Sequence, residues 1–340
     1  MRDLLVAGGG PVGLATALYA ARSGLDVGVR EPRTGVIDKA CGEGLMPGAV
    51  AALRDLAVPL DGHPIRGIRY LDPRWSSEAS FRRGDGLGVR RTVLHAALRA
   101  RAADSGIVTE HRAVRRVVDC GDHLLVDGEP TRYLVAADGL HSPVRRLLGL
   151  TGSPTGQRRH GLRYHVEIEP WTSFVEVHWA AHGEAYATPV GDHQVGVAVL
   201  TSERRPLPDL LEEFPLLAAR IAGRGGSKPR GAGPLRQPSL RRVSGRVLLV
   251  GDAAGYVDAL TGEGITLGLA QARAAVAALV AGQPQRYERA WHDIGRRHDL
   301  LTKGLVLATS FPPVRRRVVH TAARLPALFA AAVDQLARPA

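Results

Sequence analysis

Three short glycine-centred segments, each set directly behind a run of apolar residues, most constrain what this chain can fold into. Gly8-Gly9-Gly10-Pro11-Val12-Gly13 follows Leu4-Leu5-Val6-Ala7. Asp138-Gly139-Leu140-His141-Ser142-Pro143-Val144-Arg145 follows Leu134-Val135-Ala136-Ala137. Gly251-Asp252-Ala253-Ala254 follows Val247-Leu248-Leu249-Val250 and continues to Thr261-Gly262-Glu263-Gly264. Continuous apolar runs this short read as strands buried on both faces. Glycine at the end of such a strand lets backbone come close to a ligand on that edge of the sheet. Three such ends, in three distant parts of the chain, point to one extended ligand.

The first segment reads as a strand–turn–helix unit. Leu14 to Ala21 has helix propensity and small residues for close packing, Gly24 reads as its C-cap, and Asp26 to Glu31 begins a second strand. This is a βαβ unit with the dinucleotide fingerprint. Gly8 permits the tight turn, Gly10 lets the backbone approach a pyrophosphate, and Gly13 lets helix and strand pack closely. Pro11 and Val12 open the helix, whose free N–H groups face the phosphates. Glu31 follows Gly13 at close to the ~20 residues expected of the carboxylate that accepts ribose hydroxyls. A carboxylate there repels a 2′-phosphate, so the nucleotide held is not NADP.

In the second segment, Asp138-Gly139 turns the chain at the ligand edge, and Pro143 suits the first turn of a helix. In the third, Asp252 can hydrogen-bond a ribityl hydroxyl. Gly262 and Gly264 open a small-residue helix from Ile265 to about Ala281, with its positive end aimed at the C2 carbonyl and N1 of a flavin ring. Together the three segments read as a binding apparatus for FAD.

The chain resembles the flavoprotein superfamily of p-hydroxybenzoate hydroxylase and geranylgeranyl reductase. The matches are Gly8 to Gly13 with Glu31, Asp138-Gly139 with Ser142 and Arg145, and Gly251-Asp252-Ala253-Ala254, and they cover about residues 1–285. Arg91-Thr92-Val93-Leu94 is similar to the superfamily pattern in which an Arg before a helix touches FAD. By the same resemblance Arg33 and Val114 lie near the cofactor. The implied fold is α/β: a discontinuous Rossmann-like FAD-binding domain (1–63, 91–154 and 233–285; parallel sheet plus β-meander), an inserted, mainly antiparallel substrate domain (64–90 and 155–232), and C-terminal helices (286–340).

Finer signals divide. Cys41-Gly42-Glu43-Gly44, Gly255-Tyr256-Val257-Asp258 and the Tyr186 to Asp192 stretch, with Pro189 in an aromatic-x-x-Pro-x-Gly hairpin over the flavin, look like the reductase branch. The chain is shorter than typical prenyl reductases, which looks more like small monooxygenases. The Trp-x-Trp-x-Ile-Pro element of flavin halogenases is absent. Cys41 reads as redox-active, as a pocket wall, or as a small buried residue; without a CxxC pair, dithiol chemistry is not expected.

Residues 164–168, 174–178 and 195–199 alternate apolar and polar, the pattern of an antiparallel sheet with one face buried. In this superfamily such a sheet floors the substrate pocket. His178, Trp179, Tyr186 and Pro189 are the pocket candidates, with ordinary sheet packing the alternative for each. Residues 220–246, rich in Gly, Pro and Arg, read as a connector. Beyond Gln285 the 3–4 spacing of Tyr287, Trp291, Ile294, His298, Leu301 and Leu305 predicts a helix, broken at Pro312-Pro313. The stretch from Val314 to Leu336 then reads as one further helix, either a packed helix with a solvated basic face or a membrane-surface helix.

The net charge of +12 rests on arginine; the lysines are Lys39, Lys228 and Lys303. Such an excess fits base composition, nucleic acid or anionic membrane as partner, but no nucleic-acid-binding motif is visible. Cys41 and Cys120 exclude a disulfide scaffold and predict a reducing cytoplasm, with membrane association as a variant. The chain opens without the pattern of a signal peptide. No uncharged apolar stretch reaches the ~20 residues that span a bilayer.

No catalytic triad, base–nucleophile spacing or metal-ligand cluster appears, so no catalytic residue is named and no metal is expected. That pattern suits an enzyme whose cofactor carries the chemistry. The leading expectation is an FAD-dependent monooxygenase hydroxylating an apolar or aromatic small molecule with O2 and transiently bound NADH or NADPH. The alternative is a geranylgeranyl-reductase-like C=C reductase of a prenyl or lipid-like substrate. Oligomeric state is not legible.

Overall fold

Five parallel strands carry the glycine segments. In the computed structural model, which describes residues 1–154, 156 and 158–337 (the side chains of 297 and 299 aside), Arg2–Ala7 lies between Val27–Arg30 and Glu129–Ala136. Val108–Glu110 and Val247–Leu249 extend the sheet on either side. The hairpin Val117–Asp119 and Leu124–Val126 folds back antiparallel onto Glu129–Ala136 as a meander. Leu4, Val6, Leu134 and Val135 are fully buried, as continuous apolar runs require of strands covered on both faces.

One face of this sheet is covered by helices Pro11–Arg22, Arg91–Asp104 and Gly264–Val280. Pro11–Arg22 begins with Pro at its first turn. It ends as the sequence implies: Gly24 at φ +80° allows the Gly24 N–H to reach the Ala21 carbonyl and the Leu25 N–H that of Ala20.

The second sheet has seven strands in the order Arg230–Ala232, His160–Glu167, Gln194–Thr201, Gly183–Gly191, Phe174–Trp179, Gly67–Leu71 and Ser76–Ser80. It is mainly antiparallel, with Gly67–Leu71 and Phe174–Trp179 running parallel. Of residues 64–90, His63–Ile65 and Gly86–Gly88 form a separate three-stranded sheet with Gly44–Leu45, so only the middle of that stretch joins the large sheet. The boundary placed at 155 and the last three residues of the 286–340 segment lie outside the described residues.

The connector is more structured than expected: helix Pro215–Ile221 runs into its start, and strands Arg230–Ala232 and Val243–Ser244 lie within it. The helix Arg286–Thr309 ends before Pro312-Pro313, as expected. The single helix expected from Val314 to Leu336 is three: Pro312–Arg315, Val318–Arg324 and Pro326–Ala337. Pro326 explains the last break, since proline lacks the N–H that would continue the preceding turn.

Candidate active site

The three glycine segments meet at the carboxyl ends of their strands. Gly8 sits at φ +103°, and a Cβ on it would lie 2.5 Å from the Ala137 carbonyl oxygen. A Cβ on Gly13 would lie 1.9 Å from the Gly8 oxygen. Both positions are closed to any side chain by backbone. Gly10 differs: its nearest neighbour would be Arg91 Nη2 at 3.8 Å, so its Cα faces open space beside a guanidinium.

Glu31 stands across the turn. Its Oε2 accepts the Gly9 N–H at 2.9 Å, and Arg33 donates to both carboxylate oxygens. Burial pushes this carboxyl up, but the hydrogen bonds from Arg33 and Gly9 outweigh it and leave it below its ordinary value, ionised at neutral pH.

Asp138 Oδ2 accepts the Val144 N–H at 3.0 Å, while its Oδ1 is buried without a partner. Ser142 Oγ accepts the Arg145 N–H at 2.9 Å and caps the short helix Pro143–Leu147. The fully buried Arg145 then donates to the carbonyls of Asp252, Ala253 and Leu140, fastening the second segment to the third. Gly251 (φ +59°) is held by its N–H to Gln271 Oε1 at 2.8 Å. Gly251 and Gly268 both meet Val12, which locks the first helix against Gly264–Val280.

A cationic cluster completes the cradle. Arg91 is buried and its Nε has no partner; burial lowers the pKa of its guanidinium. Lys39 Nζ lies 3.1 Å from where a Cβ of Gly139 would stand, and burial likewise lowers its ammonium pKa. Burial raises the Asp252 carboxyl, opposed by the nearby charges of Lys39, Arg91 and Arg145. Cations around open glycine backbone fit a pyrophosphate, and the unspent Arg91 Nε and Asp138 Oδ1 fit polar ligand atoms. The donor set fits a flavin dinucleotide. Gly262 (φ +70°) and Gly264 clear the start of helix Gly264–Val280, and Ile265 packs into the main core behind it.

No family model matches the chain. It is 30% identical to menaquinone reductase of Mycolicibacterium smegmatis, over 87% of this chain and 80% of that protein. It is 33% identical to the 3-hydroxy-4-methyl-anthranilyl-[aryl-carrier protein] 5-monooxygenase of Streptosporangium sibiricum, over 83% of this chain and 80% of that protein. The fold matches a flavoprotein/dehydrogenase of Cytophaga hutchinsonii with a TM-score of 0.81 at 16% identity, covering 98% and 96% of the two chains. This chain is an FAD-dependent oxidoreductase of the p-hydroxybenzoate hydroxylase and geranylgeranyl reductase superfamily.

Several residues of this flavoenzyme's site carried no legible signal. His95, one turn beyond Arg91, accepts the Ile37 N–H at Nδ1 (3.1 Å) and thereby donates Nε2–H to the Gly9 carbonyl at 2.8 Å, bracing the glycine turn. Burial lowers its pKa, so it stays neutral. The 91/95 spacing on one helix face is the one hint the sequence held. Glu43 adopts φ +60°, unusual for a non-glycine residue, and is buried. Its Oε1 accepts the Arg91 N–H at 2.8 Å and its Oε2 meets His165 Nε2 at 2.6 Å, so one carboxylate joins the Cys41 loop, the Arg91 helix and the second sheet. Cys41 is a part-exposed free thiol whose pKa burial raises, and its Sγ accepts the Glu43 N–H. A Cβ on Gly42 would meet nothing within 4 Å.

The Val114 side chain is buried with Leu5, Ala7 and Leu124. One expectation needs correction. His178 lies on the opposite face of the second sheet from Trp179 and Tyr186. Val177 pairs with Tyr186 and His178 with Ala185, and the pleat sends alternate residues to opposite faces. His178 instead meets Glu176, which also takes the Trp171 indole N–H.

Trp179 and Tyr186 share their face with Tyr70, Val177, Met46 and Leu260, and the Tyr186 hydroxyl donates to the Leu260 carbonyl at 2.8 Å. Pro189 is buried at a bulge, its carbonyl placed where a Cβ of Gly88 would fall. Among the described residues no cluster suits a metal ion.

Proposed function

We propose that this flavoenzyme saturates a C=C bond in an apolar, prenyl- or lipid-like substrate, drawing electrons from NADH or NADPH. The observation that carries this reading is the character of the sheet face beside the flavin loops. Tyr70, Val177, Trp179, Met46 and Leu260 form an apolar and aromatic layer beside the flavin loops, covered by Val319, Phe329 and Val333 of the C-terminal helices. The likeness to menaquinone reductase supports the same reading.

When bound and reduced, FAD would supply hydride chemistry, and saturation of a C=C bond would take up one proton in addition from water. The residues here bind and shield. Lys39 and Arg91 would hold the polyphosphate, Asp252 would hold the ribityl chain, and the start of Gly264–Val280 would lend positive dipole to the ring. Tyr256 Oη and Cys41 Sγ both keep their protons, because burial raises both groups.

A second reading, hydroxylation, is favoured by the 33% identity to the anthranilyl monooxygenase. Assay of the holoenzyme with NADPH or NADH and a polyprenyl quinone, under argon and under air, separates them. The expected result is a product that stays two hydrogens heavier after any quinol has been reoxidised to quinone, formed equally well without oxygen. A product one oxygen heavier, formed only in air, would replace this reading with hydroxylation.

A further inference from the structure

The helix Arg286–Thr309 carries large apolar side chains on its outer face as well as its inner one at its C-terminal end. At 100° per residue, Thr302, Leu305, Val306 and Thr309 form its inward face, and both threonines are at most 2% exposed. The opposite face carries Leu300 and Leu307, continued after the helix by Phe311 and Val314, with exposures of 71, 65, 57 and 44%. The helix thus carries apolar groups on both sides over three turns, and among the described residues the outer row stays exposed.

From Leu300 onward the sequence around this row carries charge of one sign. No carboxylate occurs between Leu300 and Val333, while Arg316, Arg317 and Arg324 are exposed there. Arg315 is spent inward: it donates to Glu184 Oε2 at 3.0 Å and to the Thr309 carbonyl at 2.9 Å, which fixes its two arginine neighbours at the surface beside Val314. Apolar side chains flanked by cations, with no acid over so long a stretch, match the boundary between acyl chains and anionic headgroups. A protein partner of mixed charge would leave these arginines without selective advantage. Among the described residues no helix is long and apolar enough to cross a membrane, so contact of this kind lies in the plane of the surface.

We propose that residues 300–317 form a docking surface for an anionic lipid bilayer, with Leu300, Leu307, Phe311 and Val314 entering the headgroup boundary and Arg316 and Arg317 pairing with lipid phosphates. This stands on the surface alone and holds whichever reaction the flavin performs. The inward neighbours Leu305 and Val306 pack against the cluster containing Trp179 and Phe329, so the docked segment lies directly over the apolar sheet face.

The test is co-sedimentation of the FAD-loaded protein with vesicles of phosphatidylglycerol and phosphatidylcholine in equal parts, and with vesicles of phosphatidylcholine alone. The reference protein is expected to bind the anionic vesicles about tenfold more tightly than the neutral ones. Leu307→Glu combined with Phe311→Glu is expected to lower anionic binding about tenfold or more, and Arg316→Gln with Arg317→Gln to remove the lipid-charge preference. All these positions are exposed, so unchanged flavin content and melting temperature confirm that the fold is retained. Equal binding to both vesicle types, or binding untouched by the glutamates, overturns the proposal. So does a change from dimer to monomer on light scattering with vesicle binding unaltered, which would assign the row to a second copy.

Discussion

Two glycines of the same turn illustrate how different the demands on single residues are. Gly13 is enclosed by the Gly8 carbonyl, whereas Gly10 borders open space next to Arg91. Gly13→Val is therefore expected to misfold or to destabilise the apoprotein by several kcal/mol, because backbone cannot yield to a side chain. Gly10→Val is expected to cost the apoprotein only about 1 kcal/mol, as an unfavourable N-cap, while abolishing FAD binding. Thermal melting of both apoproteins, with flavin titration, checks the pair. A Gly10→Val protein that binds FAD normally would show that the pyrophosphate does not lie there. These glycines were legible in sequence because their roles are local: the residues that confine them sit in the same motif or in the strand beside it. Glu43, His95 and Lys39 were not, since each acquires its role from a partner distant in sequence, as His165 is from Glu43.

Elements are held together here by buried arginines as much as by apolar packing. Arg30, with no exposed side chain, reaches Glu110, Asp127 and Glu129 and so ties the second parallel strand to its neighbour and to the meander. Partial burial pushes the Glu110 carboxyl up, but hydrogen bonds from Arg112, Arg30 and Arg2 outweigh it and hold it at about 2, against an ordinary 4.5. A carboxyl depressed on folding stabilises fully above its unfolded value, and that contribution fades as pH falls towards the folded one. Glu110→Gln is expected to melt below the reference protein at neutral pH, and the gap should narrow as pH drops from about 5 to about 3. A gap independent of pH would mean the charge of Glu110 contributes nothing to stability. None of this pairing shows in the sequence, where arginines are so frequent that no single one stands out. Alternation likewise announced the strand Phe174–Trp179 but not which side meets the cofactor domain. His178 and Trp179 are adjacent, and only the register against Gly183–Gly191 assigns them to opposite faces.

At the scale of the molecule, one buried network joins the three regions that the glycine segments alone leave unconnected. Glu184, on the second sheet, is fully buried and receives Arg159 on one oxygen and Arg315 on the other. Arg159 also reaches Asp258, in the loop behind the third glycine segment. Arg315 is thus the link through which the C-terminal helices, the sheet floor and the flavin loop share a common charge balance. It ends the first of the three C-terminal helices, with a surface row before it and Phe329 and Val333 packed over the sheet after it. Removing one partner of a buried pair is costly, on the order of 3 kcal/mol, although Arg159 would still compensate part of the Glu184 charge. Arg315→Ala is expected to loosen residues 312–337 while leaving the glycine turn intact. Hydrogen exchange should show amides of the last two helices losing protection, with those of Pro11–Arg22 unchanged. If protection in the last two helices stays as it was, apolar packing alone holds them, and the Glu184 network belongs to the sheet and the flavin loop only.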